Sequence, residues 1–259
     1  MPPILADKHP EAVSVFEPSA LLRGARRQKR LAAAKVPSIC VLDPDGDIVR
    51  HLQSSGAAKR INDWPCYHTD LYGFSLAART CGIIGRAVGA PFAVMVAEEL
   101  FASGCRLLIS VTSAGQISPA ASLPYFLVIN RALRDEGTSY HYAVPEAFAQ
   151  ADPQLVNAAI HALKGSGLAA HVGPSWTTDA PFRETAEAIT AARAKGLLAV
   201  EMEAAALYAF AQKRNEAVLC LAQVTNTMGL GEQDFEKGEA HGADAALAML
   251  EVLVGNLPQ

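Results

Sequence analysis

Between Leu198 and Leu207 an apolar run gives way to an alanine-rich stretch, with Glu201 and Glu203 at the junction and Met202 between them. Such a junction predicts a strand that passes directly into a helix, with acids placed where the chain changes conformation. A carboxylate buried there is costly unless something binds it. A vicinal diol suits that role, because two hydroxyl donors satisfy one carboxylate. The negative charge would also stabilise a sugar cation as it develops. The alternative is that both acids merely start a helix, where they interact favourably with its dipole.

The rest of the chain extends the same alternation. Ser38 to Leu42 predicts a strand, closed by the turn signal Asp43-Pro44-Asp45-Gly46. Leu71 to Ala78 and Gly82 to Val88 predict adjacent strands, and Pro91 opens a helix that Gly104 stops. Leu107 to Val111 predicts a buried strand leading into a small-residue turn, Thr112-Ser113-Ala114-Gly115. Strands from Tyr125, from Ala170 to about Val172 and from Ala217 alternate with helices from Pro153, Glu184, Met202 and Gly238, and the Ala170 strand leads into Trp176-Thr177-Thr178-Asp179. Interleaving of this kind predicts an α/β fold. A single domain is expected over residues 38–259, preceded by an N-terminal extension over 1–37.

Composition narrows the function classes. A net charge of -4 lacks the basic excess of a nucleic-acid binder. The five cysteines form no CxxC pair, which predicts free thiols and a reducing compartment. No apolar segment reaches the roughly 18 residues of a membrane span, so a cytoplasmic protein without a membrane partner is expected. The histidines show no metal-ligand spacing, and no metal or organic cofactor is expected.

Four separated stretches together resemble the nucleoside phosphorylase superfamily, uridine phosphorylase most of all. They are Gly89-Ala90-Pro91 with Glu98-Glu99 and Ser113-Ala114-Gly115; Arg134 to Tyr142; Thr178 to Phe182 with Glu201-Met202-Glu203; and Glu239-Ala240-His241. The resemblance implies a twisted mixed sheet, partly closed into a barrel and flanked by helices. It also implies cleavage of a nucleoside N-glycosidic bond by a homodimer or a hexamer built as a trimer of dimers. By that resemblance Glu203 binds the ribose hydroxyls, Met202 packs on the sugar and Glu201 helps to orient it. Phe182 and Arg183 would meet the base by stacking and a forked donor. Asn226 stands where purine-cleaving relatives place an acid, which favours a pyrimidine-like or unusual base.

The acceptor side departs from the pattern. Phosphorolysis needs cations, yet the loop after the first strand reads Asp43-Pro44-Asp45-Gly46-Asp47, and Ser110 stands where an arginine is expected. Each charge-assisted bond lost costs about 1.5–3 kcal/mol. The stretch Thr112, Ser113, Ala114 and Gly115 could still offer backbone donors, with Arg86 as a replacement cation. Phosphate as the nominal acceptor and water as its replacement both remain open, as does a homologue that binds a nucleoside without turnover.

Overall fold

The computed structural model describes residues 2–228 and 239–257. In chain order the elements are α1 (Pro18–Lys29), β1 (Ile39–Asp43), α2 (Asp47–Ser54), β2 (Lys59–Arg60), β3 (Tyr72–Leu76), β4 (Arg79–Gly85) and α3 (Ala90–Ala102). The second half holds β5 (Leu107–Gln116), β6 (Tyr125–Asp135), β7 (Phe148–Gln150), α4 (Pro153–Leu163), β8 (Ala170–Thr178), α5 (Ala186–Ala194), β9 (Ala199–Glu201), α6 (Ala204–Arg214), β10 (Ala217–Thr227) and α7 (Ala243–Asn256). Proline in the first turn starts α1, α3 and α4, and Asp152 caps α4 by accepting from the Gln154 amide.

The strands form one mixed sheet that closes on itself. β5 pairs with β10, β10 with β6, β6 with β8, β8 with β9, and β9 returns to β5. From β5 the sheet continues outward through β1, β4, β3 and β2. The partly closed barrel expected from the resemblance is therefore present, and so is the α/β class. Helix α6 lies inside this architecture. Residues 204–211 are all buried, and the Tyr208 hydroxyl donates to the Ile129 carbonyl (2.6 Å) while accepting from the Cys220 amide (3.0 Å). A helix that is apolar all round belongs in a core, and this one ties β6 to β10.

Two local expectations are corrected. Thr112 to Gly115 is not a turn but the second half of β5. Small side chains allow β5 to pair with β10 along its whole length and with β9 at its end. At Gly115 a Cβ would collide with the Met228 sulfur, so close approach requires glycine there. Likewise Trp176 to Thr178 continue β8 rather than leaving the strand. The chain also holds α2, directly after the Asp-Pro-Asp-Gly turn, whose Ile48, Val49 and Leu52 face the core. Gly238, the expected start of the last helix, lies outside the described residues; α7 begins at Ala243. All five cysteines are free and buried. No helix among the described residues is long and apolar enough to cross a membrane.

Candidate active site

Parallel pairing aligns the carboxyl ends of β1, β4 and β5; the loop after β4 reaches the start of α6 through Gly89, and the loop after β1 reaches β5 through Asp45. Open ends of parallel strands are where α/β sheets bind ligands. The two acids of the opening motif arrive there with different environments.

Glu201 ends β9 beside Thr177 of β8 and is fully engaged. One oxygen accepts from the Ser175 hydroxyl (2.9 Å) and the Thr177 hydroxyl; the other accepts from the Glu203 and Ala204 amides, each at 2.7 Å. Four donors saturate a carboxylate. Thr177 also accepts from the Ala205 amide at 2.9 Å, so the network anchors the first turn of α6. The helix-start alternative thus describes Glu201, which positions the backbone of its neighbour.

Glu203 differs. It is 2% exposed, and one oxygen accepts from the Gly89 amide at 2.8 Å, while Oε2 meets no hydrogen-bond donor among the described residues. Gly89 reaches it with φ at 88°, a conformation that favours glycine, immediately before α3 begins. Burial is the main force that raises the Glu203 pKa to about 8; the charges of Glu201 and Asp45 add to it, against the Gly89 amide and the Thr112 hydroxyl. A desolvated acid with one oxygen unsatisfied is a group arranged for a ligand with hydroxyl donors.

On the acceptor side, the Ser113 amide and hydroxyl both donate to Asp45, at 2.8 and 3.1 Å. The loop that carries Asp45 is held by Asp43, which accepts from the Gly46 and Val49 amides. Burial raises the Asp43 pKa to about 6. The backbone donor expected to receive an external anion therefore already holds a carboxylate of the chain itself. Thr112 and Ala114 are buried on either side, and Ser110 is buried with its hydroxyl unpartnered among the described residues. Arg86 is exposed and borders a different cleft, of about 220 Å³, with Gly46, Arg50 and His68.

The base side is less assembled. Asn226 pairs with Gly115 in β10–β5 register, and Gly115 pairs with Val200, so Asn226 lies two strands from the start of the acid motif. Its Oδ1 is buried and unpartnered among the described residues. Met202 is partly buried between the acids. Phe182 and Arg183 sit in a 3-10 turn after β8; Phe182 is 100% exposed and Arg183 is exposed, so among the described residues the ring has no wall to stack against. Asp179 instead accepts from the Gly137 amide at 2.9 Å and ties the end of β8 to the loop after β6.

Sequence reasoning missed Gly89, Thr177 and Ser175 as parts of the site. Gly89 carried a signal, as a glycine just before a proline-started helix. The two hydroxyls carried none beyond lying on a strand opposite an acid.

Residues 38–255 match the family model described as the phosphorylase superfamily. The chain is 27% identical over 151 residues to a guanosine phosphorylase of Halorubrum lacusprofundi, covering 58% of this chain and 63% of that one. It is 28% identical over 208 residues to a uridine phosphorylase of Thermococcus kodakarensis, covering 72% and 70%. Its fold matches a Campylobacter jejuni 5'-methylthioadenosine/S-adenosyl homocysteine nucleosidase with a TM-score of 0.70 at 17% identity, covering 85% of this chain and 100% of that one.

Proposed function

Because the chain belongs to the phosphorylase superfamily, we propose that it cleaves the N-glycosidic bond of a nucleoside and passes the sugar to water. The observation that carries the choice of water is the seat of Asp45 on the Ser113 amide and hydroxyl. A phosphate dianion placed there would displace those bonds and face the Asp45 carboxylate, with no arginine from β1 or β5 to offset it.

In this proposal the ribose 2′ and 3′ hydroxyls donate to Glu203, whose Oε2 has no partner among the described residues. As the C1′–N bond breaks, its electron pair leaves with the base and positive charge grows on the sugar. A preorganised carboxylate in a dry site stabilises that charge more than it stabilises the substrate. The water oxygen bonds to C1′, and its proton can pass to the Asp45 carboxylate and on to solvent. Asn226 cannot protonate a leaving purine, which supports a base that departs by accepting hydrogen bonds at its carbonyls, as a pyrimidine does.

Incubation with uridine, guanosine and 5'-methylthioadenosine, each with and without phosphate, tests this. Free ribose from uridine at a rate indifferent to phosphate is the expected result. Ribose 1-phosphate as product would refute water as the acceptor, and binding without turnover would refute catalysis.

A further inference from the structure

The cleft of about 220 Å³ that Arg86 borders joins the candidate active site at two points of the chain. Gly46, on its wall, directly follows Asp45, which is seated on Ser113. Arg86 stands three residues before Gly89, whose amide holds Glu203. Three residues span at most about 11 Å, so the arginine enters the cleft from a backbone position close to that acid. The chain is bent to present this side chain. Arg86 has φ at 66°, in the left-handed region, and its amide donates to the Asp43 carbonyl at 2.9 Å. Its stem crosses Gly46, where a Cβ would lie 2.8 Å from the arginine Cγ, and Gly46 is itself at φ 80°.

Positive charge in the cleft is left over on Arg86. Arg50 also lines it but is bound to Asp47 at 2.7 Å, and the Asp70 carboxylate on the wall is bound to Arg60 at 2.6 Å. Asp45 and Asp47 flank Gly46 in sequence, yet their carboxylates bind Ser113 and Arg50. No ion pair holds Arg86 among the described residues, and His68 adds a ring nitrogen to the same cleft. The volume is below the roughly 300 Å³ of a pocket that takes a whole ligand, and suits one group of a ligand seated next door. Resting on the proposed cleavage, with the ribose diol at Glu203, we infer that the substrate is a nucleoside 5′-monophosphate whose phosphoryl group sits on Arg86. C5′ and O5′ carry that group out from the ring, and a guanidinium fork binds two of its oxygens at once. Cleavage by water then releases ribose 5-phosphate, with the phosphate ester untouched.

Uridine, uridine 5′-monophosphate, uridine 3′-monophosphate and inorganic phosphate are the probes, titrated calorimetrically into the full-length protein near neutral pH. The 5′-nucleotide should bind roughly tenfold or more tightly than uridine, as one charge-assisted contact implies. The 3′-nucleotide should bind more weakly than uridine, because its phosphoryl group would meet Glu203. That order is read on the unmodified protein and does not depend on a variant folding. Arg86→Gln, at an exposed position, should bring the ratio of 5′-nucleotide to uridine affinity to within about threefold of unity. Equal affinities for uridine and its 5′-monophosphate, or a ratio that survives Arg86→Gln, would overturn the inference. Inorganic phosphate bound as tightly as the 5′-nucleotide would also overturn it, and would assign the cleft to the free ion. Product analysis separates this inference from the cleavage beneath it. Uridine cleaved as fast as its 5′-monophosphate sinks the nucleotide and keeps the hydrolysis, whereas a tightly bound 5′-nucleotide that yields no ribose 5-phosphate sinks the hydrolysis and keeps the cleft.

Discussion

Replacing Glu203 with Gln should make the protein more stable and less active at once, by an amount that depends on pH. In the fold its pKa rises from 4.5 to about 8, with burial as the main cause. Below about pH 4.5 the carboxyl is protonated in both folded and unfolded chains, and no cost arises. As pH rises the unfolded chain loses its proton first, so stability falls steadily until the folded group also ionises near pH 8. The full loss is about 5 kcal/mol, of which about 4 kcal/mol develops between roughly pH 5 and pH 9. Glutamine keeps an oxygen for the Gly89 amide and has no charge to desolvate. Urea denaturation of both proteins at about pH 5, 7 and 9 reads the loss of this group together with its coupling to Glu201 and Asp45, since more distant titrations are common to the pair. The stability difference, variant minus wild type, should grow by about 4 kcal/mol across that range. Turnover of the nucleoside should drop by roughly 100-fold or more, as when one preorganised stabiliser is removed. A stability difference that stays flat with pH would mean that Glu203 is hydrated or paired, and the electrostatic argument for the site would fail with it.

Further outcomes follow from neighbouring contacts. Since the ribose diol needs the ionised acid, kcat/KM should rise with pH through about 8; Asp45→Asn, which removes a negative neighbour, should move that limb to lower pH, and an unmoved limb would show the two acids to be uncoupled. Thr177→Val removes a donor to Glu201 and the acceptor of the Ala205 amide, and should cost about 2–4 kcal/mol in urea unfolding together with a fall in kcat; full stability would argue against the anchoring role. Tyr208→Phe strands the Cys220 amide inside the core and should cost about 1–3 kcal/mol, whereas a neutral result in thermal and urea unfolding would show that the amide finds another acceptor. Gly115→Ala forces the Met228 side chain away from β5 and should lower the melting temperature; an unchanged melting curve would show that Met228 moves aside freely.

Much of this architecture is legible without coordinates. Periodicity and punctuation by Pro and Gly identify α3, α4 and β10, and the apolar run into alanines locates the junction of β9 with α6. Local patterns work there because the hydrophobic period and the caps lie within one segment. They mislead at Thr112 to Gly115, where small polar residues suggest a turn. Pairing with β10 and β9 holds that backbone extended instead.

By itself the sequence determined that two acids stand at a strand-to-helix junction, that the loop after β1 is acidic, and that an arginine is absent from β5. Only the tertiary structure decided what each acid does. Glu201 receives hydroxyls from 24 and 26 residues away on one oxygen, Glu203 is reached by an amide 114 residues away, and Asp45 closes on Ser113 across 68 residues. The charge state and availability of a carboxylate depend on burial and on donors within a few ångströms, and the fold brings those donors from distant strands.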